Sequence, residues 1–254
     1  MQKTVVMDAF PESALRYRRG YAVVAIDVIR ATTMAATAVA MGRRCFVVTS
    51  INHALELASR LRNPILAGEI AGDMPSGFDM NNSPAELAAR TDVERPLILL
   101  SSSGTQLIHN ARHCETVYLA SFRDSRALAR WLISESHPRI ALIGAGSRGE
   151  FREEDQICCA WIAERLVRAG YVPQDSKTMD ILNRWGHASA TDCLVSRSVD
   201  YLRRTGQIAD LQFILEKVDD LDLALTLRDG EIVTATPAVL PSPHIPKPAI
   251  AYRI

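Results

Sequence analysis

Continuous apolar runs, separated by amphipathic stretches, organise most of this chain. Such runs fall at 4–9 (TVVMDA), 21–29 (YAVVAIDVI), 45–50, 64–69, 96–101, 116–121 and 139–145 (RIALIGA). Their unbroken apolarity predicts strands covered on both faces. Helical spacing fills the gaps. TMAATAVAMG runs on from Thr33, NHALELASRLR has apolar positions at 54, 55, 57, 58 and 61, and SPAELAAR, GTQLIHNAR and SRALARWLISE follow. A longer helix, EEDQICCAWIAERLVRAG, ends at Gly170, which suits a C-cap. Strand–helix alternation of this kind predicts an α/β fold: a three-layer α/β/α arrangement with a mostly parallel, mixed sheet.

The last third changes character. Residues 189–207 and 208–218 read as helical, 223–237 as a hairpin turning at Asp229-Gly230, and the Pro-rich 237–254 as extended. No linker or repeat interrupts the chain. The expectation is one α/β domain over 1–254, with 175–254 a helical and hairpin C-terminal extension packed on it.

Composition narrows the function classes. Lys+Arg and Asp+Glu both number 29 in 254 residues, so the net charge is zero. A nucleic-acid or membrane-surface binder would carry a basic excess, so neither partner is expected. No run of 18 apolar residues exists, and Asp8 and Glu12 break any signal-peptide core at the start. The five cysteines are odd in number and form no C-x-x-C pair, which predicts free thiols and a cytoplasmic protein. Cys159 and Arg165 have the C-x5-R spacing of cysteine phosphatases. The intervening AWIAE lacks glycine and lies in a helical stretch, so no phosphate loop is expected there.

Polar residues then gather where a parallel sheet binds ligands, at the carboxyl ends of strands. Asp27 and Arg30 follow one run, Glu69 another, SSSGT (101–105) a third, and GAGS (144–147) a fourth. Ser101, Ser102, Ser103, Gly104 and Thr105 offer hydroxyls and N–H groups at a helix start, which suits an anion. The competing reading is a plain serine N-cap. No Walker lysine follows, so this is no nucleotide P-loop. Asp27 reads as a Mg2+ ligand, an aspartyl nucleophile, or a structural group that caps the next helix or pairs with Arg30. Arg30 suits bidentate phosphate binding. Thr32 and Thr33 read as caps. The loop 69–87 is the longest irregular segment and carries Asp79 and Asn82, whereas Ser83, Pro84 and Glu86 form a capping box. Glu154 and Asp155 stand in the first turn of the long helix, where acids are stabilising in any case.

Taken in order, DVIRATT, AGE, GFDMNNSP, SSSGT, GAG and EEDQICCA resemble the motifs of the 2-phosphosulfolactate phosphatase family over about residues 20–165. That pattern runs roughly D-V-[LI]-R-A-[TS]-[TS], G-E-R, G-[FY]-D-x-G-N-S-P, T-T-x-N-G-T, A-G and E-D-x-x-C-A. The resemblance implies a three-layer α/β fold. It also implies Mg2+-dependent hydrolysis of a phosphate monoester of sulfolactate, a step toward coenzyme M. Carried over by position are Asp27, Arg30, Glu69, Asp79, Asn82, Gly104, Thr105, Glu154 and Asp155. Three positions depart: Ile70 stands where the pattern has Arg, Asn81 where it has Gly, and Ser103 where it has Asn.

The resulting expectation is a phosphoric monoester hydrolase acting on a small-molecule phosphate ester. Asp27, Arg30 and Ser102 are the catalytic candidates. Arg30, Asn82, Ser101, Ser102, Ser103, Gly104, Thr105 and Gly146 are the substrate-binding candidates. Asp27, Glu69, Asp79, Glu154 and Asp155 are the candidates for holding Mg2+. Direct attack by water and attack by an enzyme nucleophile, with Asp27 or a serine of 101–103 as the nucleophile, both stay open. So do a different phosphorylated metabolite and a non-catalytic phosphate-ester binder. A homodimer is the base-rate expectation.

Overall fold

The computed structural model describes residues 2–147 and 149–236. The expected extended tail at 237–254 lies outside them. In chain order the elements are β1 (Thr4–Ala9), a 3-10 helix (Pro11–Tyr17), β2 (Ala22–Ile26), α1 (Ala31–Ala40), β3 (Cys45–Val48), α2 (Ile51–Ala58), β4 (Ile65–Gly68), α3 (Pro84–Ala88), β5 (Leu97–Leu100), α4 (Gly104–Ala111) and β6 (Thr116–Ala120). Then come α5 (Ser125–Glu135), β7 (Arg139–Gly144), α6 (Glu153–Arg168), β8 (Val172–Pro173), α7 (Ser176–Trp185), a 3-10 helix (Ala190–Val195), α8 (Arg197–Arg204), α9 (Ile208–Glu216), β9 (Leu225–Arg228) and β10 (Glu231–Thr234). All seven expected apolar runs are strands.

The strands form one sheet in the order β4-β5-β3-β10-β9-β6-β2-β7-β1-β8. Pairings are parallel except those made by β9 and β10. The fold is therefore a three-layer α/β fold with a mixed, mostly parallel sheet. Alternation along β2 shows why its run is wholly apolar. Ala22, Val24 and Ile26 enter one core with α5 and α6, while Val23 and Ala25 enter the other with α1 and α4.

The hairpin corrects one expectation. It does not pack on the domain but sits in the middle of the sheet, pairing with β3 on one side and β6 on the other through two residues each. Asp229, at φ 51°, and Gly230, at φ 82°, make its turn, as the DG dipeptide predicts. Residues 189–207 are helical, as expected, in two pieces. A 3-10 turn stops at Ser196, whose hydroxyl accepts the Val199 N–H and starts α8.

Placement of the hairpin has a consequence for function. Four strands separate β5 from β2 in the sheet order. In a flat sheet that is about 24 Å. Yet inward residues of β2, β3, β4, β5, β7, β9 and β10 all share one core with α1 and α4. The sheet wraps around these two helices and brings the β4–β5 ends back toward the β2–β7 ends.

Candidate active site

The wrapped strand ends open onto a cavity of about 580 Å³. Of the expected residues, Asp27, Arg30, Glu69, Asn82, Ser101, Ser102, Ser103, Gly146 and Asp155 line it. The structure thus brings four strand ends together, from β2, β4, β5 and β7.

Asp27 is the buried centre of the group, 6% exposed. Thr32 holds its backbone from both sides: the hydroxyl accepts the Asp27 N–H (3.0 Å) and donates to the Asp27 carbonyl (2.8 Å). Thr33 donates to the Val28 carbonyl. The two threonines therefore lock the strand end itself. Gly104 makes room for the Asp27 carboxylate, because a Cβ there would lie 2.2 Å from Asp27 Oδ2. Burial, and then the charge of Glu69, pushes the Asp27 carboxyl up to about 7.

Asp155 arrives from the first turn of α6. Its oxygens accept the N–H groups of Val28 (2.9 Å) and Gly146 (3.2 Å), stitching the β2 and β7 ends together. Burial raises its pKa well above the ordinary carboxylate range, with the charges of Asp27 and Glu154 adding to the effect. Glu154 stands beside this group, outside the cavity lining. It is buried, its pKa is raised, and its Oε2 has no hydrogen-bond partner.

Glu69 organises the β4–β5 side. Oε1 accepts the Ser102 N–H (2.7 Å), and Oε2 accepts the Ser102 hydroxyl (3.0 Å) and the Gly72 N–H (2.7 Å). Ser102 Oγ in turn accepts the Ala71 N–H. Ser101 and Thr105 form a local cap: Thr105 Oγ1 accepts the Ser101 N–H and donates to the Ser101 carbonyl, while Ser101 Oγ accepts the Gly104 N–H. Thr105 and Gly104 thus support the wall without lining it.

Asp79 is set apart from the other acids. Its carboxylate accepts the Leu66 N–H (2.8 Å) and lies 3.8 Å from Arg95, pinning the long loop to β4 outside the cavity lining. Ser83 caps α3 by accepting the Glu86 N–H, as expected. Cys159 is buried within α6, and burial raises its thiol pKa far above the ordinary range, so it offers no thiolate.

The C-terminal helices contribute residues that the sequence reading missed. Asp210 of α9 pairs with Arg30, and Gln207 also accepts from the same guanidinium. Asn81 accepts from Arg30 Nη2 at 3.3 Å. Arg197, Ser198, Tyr201 and Arg204 of α8 line the cavity wall, joined by Glu150 and Arg152. One signal for α8 was legible: positions 197, 201 and 204 share a helix face, opposite the buried Val199.

The donor set suits a hard cation. Among the described residues no group of three or more His, Cys, Asp or Glu forms a ready cage. Mg2+ does not require one, because it commonly keeps its waters and takes one or two carboxylates together with substrate phosphate. Asp27, with Glu69 raising its pKa, provides mutually repelling carboxylates that a cation would relieve. The Asn82 side-chain oxygen is a further buried acceptor without a partner.

Comparison with known proteins gives a concordant picture. A family model described as 2-phosphosulpholactate phosphatase matches residues 8–230. A probable 2-phosphosulfolactate phosphatase of Clostridium perfringens (strain SM101 / Type A) is 26% identical over 223 residues, covering 85% of this chain and 90% of that protein. One from Deinococcus radiodurans is 28% identical over 230 residues, covering 89% and 91%. One from Gloeobacter violaceus is 32% identical over 146 residues, covering 56% and 62%.

Proposed function

We propose a substrate and a mechanism from one premise: the chain belongs to the 2-phosphosulfolactate phosphatase family, and it is a phosphoric monoester hydrolase. The proposed reaction is Mg2+-dependent hydrolysis of 2-phosphosulfolactate to sulfolactate and phosphate, as in a coenzyme M type pathway. The observation that carries it is the convergence of Asp27, Glu69, Ser102 and Arg30 on one cavity.

Asp27 would hold the cation, with Asn82 as a neutral donor. Bound Mg2+ would supply charge neutralisation at the phosphoryl oxygens. The chain's own residues do the rest. Arg30, fixed by Asp210, faces the phosphoryl group and stabilises charge that builds as phosphorus transfers. Ser101 and Ser103 donate to the same oxygens. Asp155 keeps the β2 and β7 ends at a fixed separation. A water attacks phosphorus and gives its proton to Glu69, which Ser102 and Gly72 orient, while the P–O ester bond breaks and the departing alkoxide oxygen of sulfolactate takes a proton from solvent water. Among the described residues no helix is long and apolar enough to cross a membrane.

The test is phosphate release from a panel of monoesters with and without Mg2+. Release that requires Mg2+ and is lost in Glu69→Gln supports the reading. Tight ester binding without turnover would replace it with a non-catalytic binder.

A further inference from the structure

The cavity has two electrically distinct walls. On the strand-end wall stand the carboxylates of Asp27, Glu69 and Asp155 and one guanidinium, Arg30. On the facing wall three arginines, Arg152, Arg197 and Arg204, meet one carboxylate, Glu150. We propose that Arg197 and Arg204 form a second anion subsite, which binds the sulfonate of the substrate, the acid group farther from its phosphate ester. This rests on the hydrolase reading above and adds the determinant of substrate choice.

Helical geometry puts the two arginines together. Residues 197, 201 and 204 are spaced i, i+4 and i+7, so they share one face of α8. The opposite side is anchored by the fully buried Val199, while Leu202, also buried, borders the cavity. Tyr201, between the arginines, donates its hydroxyl to the Gly72 carbonyl at 2.6 Å. That bond ties α8 to the loop following Glu69 and sets the basic face over the cavity. Ile70 also lines the cavity and brings no charge.

Charge decides the orientation of a ligand. A sulfonate or carboxylate is repelled by the strand-end acids and attracted by guanidinium groups, which form charge-assisted bonds to planar or tripodal anions. Arg197 now donates to Glu150, which also pairs with Arg152 at 3.4 Å, but the Arg197 and Glu150 side chains are 72% and 42% exposed. An exposed pair of this kind contributes little, so an incoming anion displaces it readily. A cavity of about 580 Å³ spans both walls and accommodates a short hydroxy acid with its phosphate on one side and its acid group on the other.

The experiment compares three esters: 2-phosphosulfolactate, 2-phospholactate, which lacks the sulfonate, and p-nitrophenyl phosphate. They are measured with the wild type, R197Q, R204Q and the double variant. Inhibition constants for sulfolactate and inorganic phosphate are taken in parallel. The double variant is expected to lose about 10–100-fold in kcat/KM for the sulfonated ester, mostly through KM, with weaker sulfolactate inhibition in step. Hydrolysis of p-nitrophenyl phosphate and inhibition by phosphate should stay within about twofold, since a charge-assisted bond to the remote acid group is all that is removed. Equal losses on all three esters, or no loss on the sulfonated one, would overturn the subsite. Wild-type turnover of all three with no preference for the sulfonate would overturn the subsite and leave the hydrolase reading standing. No turnover of any ester would overturn the hydrolase reading and the subsite with it.

Discussion

Arg30 and Asp210 form an ion pair that is buried on both sides: Nη1 lies 2.6 Å from Oδ2, and the side chains are 4% and 2% exposed. The residues are 180 positions apart. The other Asp210 oxygen accepts the Ser83 hydroxyl (2.6 Å) and the Ala85 N–H (3.1 Å). One carboxylate therefore joins the end of β2, the long loop before α3, and α9. Asp210→Asn would leave Arg30 charged and buried without its counterion. We expect a stability loss of about 3 kcal/mol in denaturant titration. With the guanidinium displaced, kcat/KM should fall about 100-fold. Unchanged activity at unchanged stability would mean that Arg30 needs no anchor.

Gly104 offers a sharper steric probe. An added Cβ would meet Asp27 Oδ2 at 2.2 Å and Ala31 Cβ at 2.5 Å, and neither neighbour sits on a long flexible chain. Gly104→Ala should cost about 1–3 kcal/mol and push Asp27 out of position. Calorimetric titration with Mg2+ should then show weaker binding than in the wild type. Full affinity in the variant would remove Asp27 from the proposed ligands.

Glu69 and Ser102 are separable. Glu69→Gln keeps one acceptor oxygen, turns the other position into a donor NH2 and loses the base, so kcat should drop about 100-fold. Ser102→Ala keeps the Ser102 N–H bond to Glu69 and should cost less than about tenfold, on the scale of one hydrogen bond. If Ser102→Ala abolished turnover while Glu69→Gln did not, the attacking group would be the serine and not water.

Asp124 carries a pH-dependent stability term. Burial pushes its carboxyl up to about 7 from an ordinary 3.8, and its Oδ2 has no partner. The folded protein keeps this proton where the unfolded chain has lost it. Its contribution to stability therefore falls as pH rises from about 4 to about 7. Asp124→Asn removes the titration. The melting temperature of the wild type minus that of Asp124→Asn should fall by roughly 5 °C between pH 5 and pH 8. A difference that is constant or rises with pH would contradict the assignment.

How much of this was legible in the sequence depends on distance along the chain. Each strand end could be read locally, because an apolar run followed by Asp27, Glu69, Ser101 or Gly146 is a short-range pattern. Ser83 as a cap was legible for the same reason. Asp79 was not: its carboxylate sits among others in sequence, yet it bonds back to Leu66 and faces away from the cavity. Asp210 could not be found at all, since an acid in the first turn of a helix is ordinary and its partner lies at the other end of the chain. The central hairpin was read correctly as a hairpin. Its place between β3 and β6 is a long-range pairing that no local pattern encodes.

The central claim is that Asp27 belongs to a Mg2+-dependent phosphatase site. Its most direct test is inorganic phosphate release from 2-phosphosulfolactate, measured across a Mg2+ titration for the wild type and Asp27→Asn, with thermal melts confirming that both are folded. The account predicts release that rises with Mg2+ in the wild type and disappears on chelation. In the folded variant release should fall at least about 100-fold, on the scale of losing one catalytic electrostatic contact. Wild-type release that is indifferent to chelation, or undiminished release by folded Asp27→Asn, would contradict it.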